Sequence, residues 1–151
     1  MLDWKEGLIN AKYHLRVVER MFESYENFPD KRFLIGIIRE LEKAVFNLVL
    51  AYLVFGGSKI SKNIKSNSDI FRKDIGLRYL DRTVVDNILM IFKIGKDQRK
   101  SPIEYSKEGN LIFLIGGEYK FLRIERLKDL INSVKIGISN FPKIPKNFRQ
   151  V

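Results

Sequence analysis

The apolar positions at the start of the chain follow the period of an α-helix. Over residues 4–25 they recur at alternating steps of four and three, which places their side chains along one helical face. Asp3 and Glu6 have the spacing of a capping box, which marks the start of a helix. Pro29 follows soon after the last apolar position of the pattern and marks the end of this helix. The sequence therefore predicts a first helix that packs lengthwise through Trp4, Leu8, Ala11, Leu15, Val18, Phe22 and Tyr25.

The most apolar long segment follows, from Arg32 to Phe55, and predicts the central helix of the domain. Residues 44–55 carry no charge, and a helix that is apolar on most of its faces is normally buried among other elements. Asp30 is placed to cap this helix, and Gly56-Gly57 is a strong signal for its end. Gly36 within it indicates close approach by a neighbouring helix.

Beyond the central helix the helical pattern is weaker. Residues 58–68 are rich in Ser, Asn and Lys and predict a mobile loop, and residues 69–76 predict a short helical segment broken near Gly76. A third substantial helix is expected from after Asp81 to about Gln98. Its predicted buried face consists of Val85, Ile88, Leu89 and Phe92.

After Pro102 the period changes from that of a helix to that of short strands. Three apolar or alternating runs are separated by turns that contain glycine, and Gly116-Gly117 is the signal of a two-residue hairpin turn. The runs span residues 103–106, 111–115 and 118–122. The pattern leaves open whether 103–122 forms a hairpin, a three-stranded meander or a loop.

A last helix is predicted over about residues 123–139, and Pro142 ends it. A basic tail follows, with Lys143, Lys146 and Arg149. The predicted fold class is therefore mainly α, with one domain that spans residues 1–151. We expect an antiparallel four- to five-helix bundle with a small antiparallel β-hairpin or meander near residues 103–122.

Composition narrows the class of protein. A chain of 151 residues has the usual length of one domain, and it contains no cysteine, which excludes disulfides, thiolate metal sites and cysteine nucleophiles. Asp3 and Glu6 stand where a secretory signal carries basic residues, and no run of about 18 apolar residues occurs. The sequence therefore predicts a cytoplasmic protein without a membrane span.

The net charge of +10 is unevenly distributed along the chain. Residues 1–57 carry 8 basic and 8 acidic side chains, whereas residues 58–100 carry 11 basic and 5 acidic ones, a net charge of +6. Residues 101–151 add a net charge of +4. Localised positive charge is typical of proteins that bind nucleic acid, an anionic membrane or an acidic partner, although it also serves general solvation.

Candidate catalytic groups are few. His14 is the only histidine and is expected to be a surface or half-buried residue of the first helix. The glycines form no phosphate-binding pattern, and Glu19 and Glu23 alternate with arginines as in a salt-bridged surface. The sequence therefore predicts no cofactor, no metal site and no catalytic constellation.

The functional signal that remains is a set of basic side chains interleaved with aromatic rings. Lysines recur at every third position from residue 59 to residue 65, and further basic residues follow as far as residue 100. Phe71, Tyr79 and Tyr105 offer faces for base stacking. The candidate nucleic-acid-binding residues are Lys59, Lys62, Lys65, Arg72, Lys73, Arg99, Lys100 and Tyr105.

The order of helices also resembles a known family. AKYHL in the first helix, RELEKAVFNLVLAYL in the second and two further helices are similar to the HEPN superfamily of prokaryotic helical domains, over roughly residues 3–140. Many members are RNases or toxin components that use Arg followed, after four to six residues, by His, in an active site built across a dimer. In this chain no His follows an Arg at that distance, and the nearest analogue is Arg99 with Tyr105. Tyrosine is a poor general base at neutral pH, so the resemblance implies a non-catalytic binding or dimerising member.

These observations predict a non-enzymatic, basic helical binding protein. We expect it to contact RNA or another anionic partner through residues 58–100, and to form a homodimer. Two alternatives stay open. One is a protein–protein adaptor that does not bind nucleic acid, and the other is a divergent HEPN-type ribonuclease that uses Arg99 and Tyr105.

Overall fold

The computed structural model describes residues 3–102 and 104–142, and over these residues the fold is mainly helical with one small sheet. The helices are α1 (Trp4–Asn27), α2 (Lys31–Phe55), α3 (Ile64–Ile70), α4 (Arg82–Lys100) and α5 (Ile124–Ser139), and the strands are β1 (Glu104–Lys107), β2 (Asn110–Ile115) and β3 (Glu118–Arg123). The predicted fold class, mainly α with a small antiparallel β element, is confirmed. The bundle arrangement stays a prediction, and the basic tail that begins at Lys143 lies outside the described residues.

α1 and α2 form an antiparallel pair, and both begin where their caps predict. The carboxylate of Asp3 accepts the backbone N–H of Lys5, and that of Asp30 accepts the N–H of Arg32. Trp4, at the start of α1, packs edge-on against Phe55, at the end of α2, with ring centroids 5.4 Å apart. Since α2 lies buried along most of its length, the expectation of a central core helix is confirmed.

Close approach between α1 and α2 explains the glycine inside the central helix. A Cβ built at Gly36 would lie 3.1 Å from Sδ of Met21, on α1. That separation is tighter than an ordinary van der Waals contact, so a larger residue would force the methionine to move. The predicted reason for Gly36 is confirmed.

The predicted loop over residues 58–68 is confirmed for residues 58–63, which lie in no helix or strand, and is wrong for residues 64–68, which belong to α3. The side chain of Asn63 accepts the N–H of Lys65 at 2.9 Å and caps the helix. Asn67 is buried, and its amide exchanges two hydrogen bonds of 2.9 Å with the backbone of Ser61. The Ser and Asn residues that indicated a loop therefore satisfy backbone groups at a helix start instead.

Between α3 and α4 the chain turns through a π-helical segment, Phe71–Ile75, and one turn of 3-10 helix, Gly76–Arg78. Phe71 and Ile75 are fully buried in the core. This corrects the expectation that Phe71 presents a face for base stacking. The sequence pattern did not reveal its burial because its immediate neighbours, Arg72 and Lys73, are exposed and basic.

The buried face of α4 differs from the predicted one. Val85 and Ile88 are fully buried as expected, but Val84 and Ile91 complete the buried face. The side chains of Leu89 and Phe92, which were expected in the core, are only partly buried. Part of the apolar surface of α4 therefore faces α2 and α3.

The three strands form an antiparallel meander in the order β1-β2-β3, which settles the alternatives for this segment. Gly116 and Gly117 have φ values of 56° and 80°, and they form the turn between β2 and β3 that the sequence predicted. Leu111 and Phe113 of β2 lie in the hydrophobic core. The sheet therefore packs one of its faces on the helices.

α5 closes the core against α2 and α4. A Cβ at Gly137 would lie 2.9 Å from Leu48 and 3.0 Å from Ile88, so the helix backbones approach closely at this point. The hydroxyl of the fully buried Tyr52 donates a hydrogen bond of 2.6 Å to the carbonyl oxygen of Gly137. Among the helices described, none is both long enough and apolar enough to cross a bilayer.

Candidate functional site

A groove bounded by α2, α3 and α4 combines exposed apolar side chains with a basic rim. It consists of two adjoining cavities, each of about 460 Å³, which share Glu42, Ile64, Phe92 and Arg99. We call it the basic groove. Its residues are His14, Arg39, Glu42, Lys43, Phe46, Asn47, Ile64, Lys65, Ser68, Leu89, Phe92, Lys93, Lys96 and Arg99.

The floor of the basic groove is apolar. Phe46 and Ile64 are 40% and 45% exposed, and the partly buried Leu89 and Phe92 lie beside them. Phe92, which was predicted to lie on the buried face of α4, is part of this floor. Phe46 belongs to the uncharged run of α2 that was expected to lie in the core, yet it faces the groove. Exposed apolar side chains in a concave surface are typical of a binding site.

The rim of the basic groove carries six basic residues and one acidic residue, Glu42. Three of the cations have acidic partners. Lys43 pairs with Glu40 at 3.4 Å, Lys93 pairs with Asp97 at 3.5 Å, and Arg99 pairs with Glu42. The other three, Arg39, Lys65 and Lys96, form no ion pair with any residue in the described ranges.

The pair of Arg99 and Glu42 connects α4 to α2 across the groove. Hydrogen bonding to the Glu42 carboxylate raises the pKa of Arg99 above its ordinary value. The carboxylate lies directly against the backbone of α4, where a Cβ at Gly95 would overlap it. Gly95 therefore provides the space in which the one acidic side chain of the rim is held.

A second inter-helix contact borders the groove. Nδ1 of His14 lies 2.7 Å from Oε2 of Glu40, and because a carboxylate can only accept, the imidazole is the donor. His14 is partly buried, which confirms its expected position as a half-buried helix residue. Sequence reasoning missed this pair because its members are 26 residues apart and meet only when α1 packs on α2.

The structure brings two of the eight predicted binding residues, Lys65 and Arg99, into the groove. Lys59 and Lys62 are exposed before α3, and Lys73 and Lys100 are exposed at other positions. Arg72 lies 3.6 Å from Asp86 in an ion pair with α4. Tyr105 lies in the sheet, and Tyr79 packs against Tyr52 and Phe55, at ring-centroid distances of 5.9 and 6.4 Å, so Tyr79 is not a free stacking face.

The residues of α2 that line the groove were missed by sequence reasoning. Arg39, Lys43 and Phe46 are spaced at i, i+4 and i+7, so they share one face of the helix. That spacing could have indicated a helical face that lines a site. The neutral net charge of residues 1–57 and the apolar run instead indicated that α2 is a buried core helix. The groove takes its charge from both sides of Gly56.

No protein-family model, curated protein or solved structure matches this chain significantly. The resemblance to the HEPN superfamily therefore stays a prediction. Within residues 3–102 and 104–142, no three His, Asp or Glu side chains cluster so that they could hold a metal ion. The basic groove itself offers cations that can neutralise phosphate or carboxylate, and an apolar floor that can accept a flat ring.

Proposed function

We propose that this chain is an RNA-binding protein whose basic groove holds unpaired nucleotides of a single-stranded RNA. The observation that carries the proposal is the position of three unpaired cations around an apolar floor. No catalytic step is part of the proposal. The predicted homodimer and cytoplasmic location are not needed for it and stay predictions.

The cations provide the affinity for the RNA backbone. Arg39, Lys65 and Lys96 have no carboxylate partner among the described residues, so each is available to a phosphate without first breaking an ion pair. A protein cation that neutralises a phosphate releases a condensed counterion, and this gain is large at low salt. The contact is independent of base sequence.

The floor provides the preference for unpaired bases. The rings of Phe46 and Phe92 are accessible within the groove, and base–aromatic stacking is tolerant of base identity. In an RNA duplex the bases are stacked and paired, so their faces are not available to side chains. The arrangement therefore favours single-stranded RNA over double-stranded RNA.

The test is a titration of a fluorescently labelled, unstructured 12-nucleotide RNA at 50 and 200 mM salt. We expect the Lys65→Glu/Lys96→Glu double variant to bind about tenfold or more weakly than the wild type at the lower salt concentration. The matched control is Lys62→Glu/Lys73→Glu, which changes the net charge equally within the same basic segment. Both control positions are exposed and neither lines the groove, so we expect a loss of less than about threefold.

Three outcomes would contradict the proposal. The first is a wild-type protein that binds no RNA at low salt, and the second is an equal loss in both double variants, which would indicate general charge attraction. The third is tighter binding of an acidic peptide than of RNA in the same groove, which would favour a protein adaptor.

A further inference from the structure

The second surface with exposed aromatic rings is the face of the sheet that points away from the helices. Tyr105 pairs with Ile112, and Ile112 pairs with Phe121, so these three residues form one rung across the sheet. Leu114 pairs with Tyr119 in the next rung. Side chains alternate between the faces of a strand, so this face is opposite to the one that carries Leu111 and Phe113 into the core. We call it the aromatic face; its residues are Tyr105, Lys107, Asn110, Ile112, Leu114, Tyr119, Phe121 and Arg123.

The rings of the aromatic face are accessible to solvent. Tyr105, Tyr119 and Phe121 are 40%, 54% and 63% exposed, and Tyr105 contacts Tyr119 edge-on at a centroid distance of 6.4 Å. The solvent face of an antiparallel sheet normally carries polar residues. Three exposed aromatic side chains on one small sheet therefore indicate a face that binds something.

The charge of the aromatic face is positive. Lys107 and Arg123 occupy the two ends of the rung next to the aromatic one, with Asn110 between them. Among the described residues of the strands, no carboxylate lies on this face, because Glu104 and Glu118 occupy positions that belong to the opposite face of the sheet. Neither cation has an ion-pair partner within the described residues. Cations beside aromatic rings complement an anionic ligand that carries flat rings.

The sheet is held firmly beside the helices that form the basic groove. The ammonium of Lys31, at the start of α2, donates a hydrogen bond of 2.9 Å to the carbonyl oxygen of Glu104. The amide of Gln98, in α4, donates one of 2.8 Å to the Glu104 carboxylate. β1 begins a few residues after Arg99 of the basic groove. It is therefore fixed to α2 and α4, the same two helices that the groove uses.

We propose that the aromatic face is a base-stacking platform for the same single-stranded RNA, with Tyr105, Tyr119 and Phe121 as its stacking rings and with Lys107 and Arg123 as its phosphate contacts. The proposal rests on the proposed function, since the groove and the sheet then bind one strand. It keeps Tyr105 as a nucleic-acid-binding residue and adds four residues that sequence reasoning did not select, Lys107, Tyr119, Phe121 and Arg123. The exposed rings would add to the preference for unpaired bases that the floor of the basic groove provides.

The test compares two 12-nucleotide oligomers that carry the same phosphates, one intact and one with abasic positions throughout its centre. The Tyr105→Leu/Phe121→Leu variant keeps apolar side chains but removes two rings. We expect it to bind the intact RNA about tenfold or more weakly than the wild type, and the abasic oligomer within about twofold of the wild type. The ring-retaining Tyr105→Phe/Phe121→Tyr variant is expected to bind both oligomers like the wild type.

The matched control removes two exposed rings elsewhere, through Tyr13→Leu/Phe28→Leu, and is expected to leave RNA binding unchanged. Equal melting temperatures of the variants would show that the sheet is intact. Wild-type binding with no loss in Tyr105→Leu/Phe121→Leu would overturn the stacking platform and leave the groove proposal standing. The stacking platform would also be overturned if Tyr105→Leu/Phe121→Leu lost affinity equally for both oligomers, or if the control variant lost as much affinity for the intact RNA. If the wild type binds neither oligomer, both proposals are wrong.

Discussion

The basic groove can be compared with a second, smaller groove formed by described residues, and the two differ in charge and in the exposure of their floors. The second groove, between α1 and α5, has a volume of about 390 Å³ and an apolar floor formed by Phe22 and Ile131. Its rim contains three acidic and two basic residues, and we call it the acidic groove. The rim consists of Glu19, Glu23, Glu26, Lys128, Asn132 and Lys135. Lys135 pairs with Glu19 at 3.4 Å, and Lys128 lies over the ring of Phe22.

The floors of the two grooves differ in exposure, because Phe22 and Ile131 are buried in the acidic groove, whereas Phe46 and Ile64 are exposed in the basic groove. Both grooves have aromatic floors, but the rim of the basic groove has six basic residues to one acidic, against two to three in the acidic groove. An excess of positive charge therefore lies beside the exposed apolar floor of the basic groove. General solvation does not require such an arrangement, whereas binding of an anion with flat rings does.

One effect on stability should come from expelling the one carboxylate of the basic groove. In Gly95→Ala the new methyl group would overlap the Glu42 carboxylate, which must leave its place between α2 and α4. We expect the free energy of unfolding to fall by no more than about 1 kcal/mol, because the displaced carboxylate is the end of a flexible side chain and alanine is favoured over glycine in a helix interior by about 1 kcal/mol. Denaturant unfolding followed by circular dichroism measures the loss.

A double-mutant cycle separates this clash from a general effect of the substitution. Glu42→Ala removes the carboxylate, so adding Gly95→Ala to it should raise the free energy of unfolding, since alanine is favoured over glycine in a helix interior. Arg99 then loses its partner, but its side chain is exposed and this cost is small. Equal costs of Gly95→Ala in both backgrounds would show that the two residues do not interact.

An effect of similar size should follow from loosening the helices that separate the two grooves. Tyr52, on α2, donates its hydrogen bond to Gly137, on α5, and α5 lines the acidic groove. We expect Tyr52→Phe to lower the free energy of unfolding by about 1 kcal/mol at pH 7, the usual contribution of one hydrogen bond. Thermal or denaturant unfolding measures this change.

The same substitution has a signature at alkaline pH. Burial raises the pKa of Tyr52 well above the usual value near 10. Above about pH 10 the unfolded chain loses this proton while the folded chain keeps it, so stability falls as the pH rises. In Tyr52→Phe the fall should be shallower by about 1.4 kcal/mol per pH unit, since one fewer proton is involved. An identical pH dependence in both proteins would show that Tyr52 ionises alike in the folded and unfolded states.

Sequence patterns predicted the elements well where a local signal fixes them. The caps Asp3 and Asp30 mark helix starts, and Gly116-Gly117 marks a hairpin, because each acts on its own neighbours in the chain. For the segment 58–68, the loop prediction holds for residues 58–63 but is wrong for residues 64–68, which belong to α3. Its Ser and Asn side chains favour loops by composition, but Asn63 and Asn67 use those groups to start and hold a helix.

The candidate site was harder to predict, because it depends on which residues meet after folding. Lys65 was selected on charge, but Arg39 and Phe46 were missed, since helix rotation decides which residues of an apolar helix face outward. The contact between Glu42 and Gly95 joins residues more than fifty positions apart. Strand register likewise placed Tyr119 and Phe121 beside Tyr105, and register is not readable from the apolar pattern alone.

The most direct test of the account is the salt dependence of single-stranded RNA binding. The slope of log affinity against log salt concentration should fall in magnitude by about 2 when Arg39, Lys65 and Lys96 are all changed to Gln, since each phosphate contact to a single strand contributes about 0.7. Neutralising Glu23 and Glu26 of the acidic groove to Gln should leave the slope unchanged. An unchanged slope in the triple variant, whatever its affinity, would contradict the claim that these three cations hold the RNA backbone.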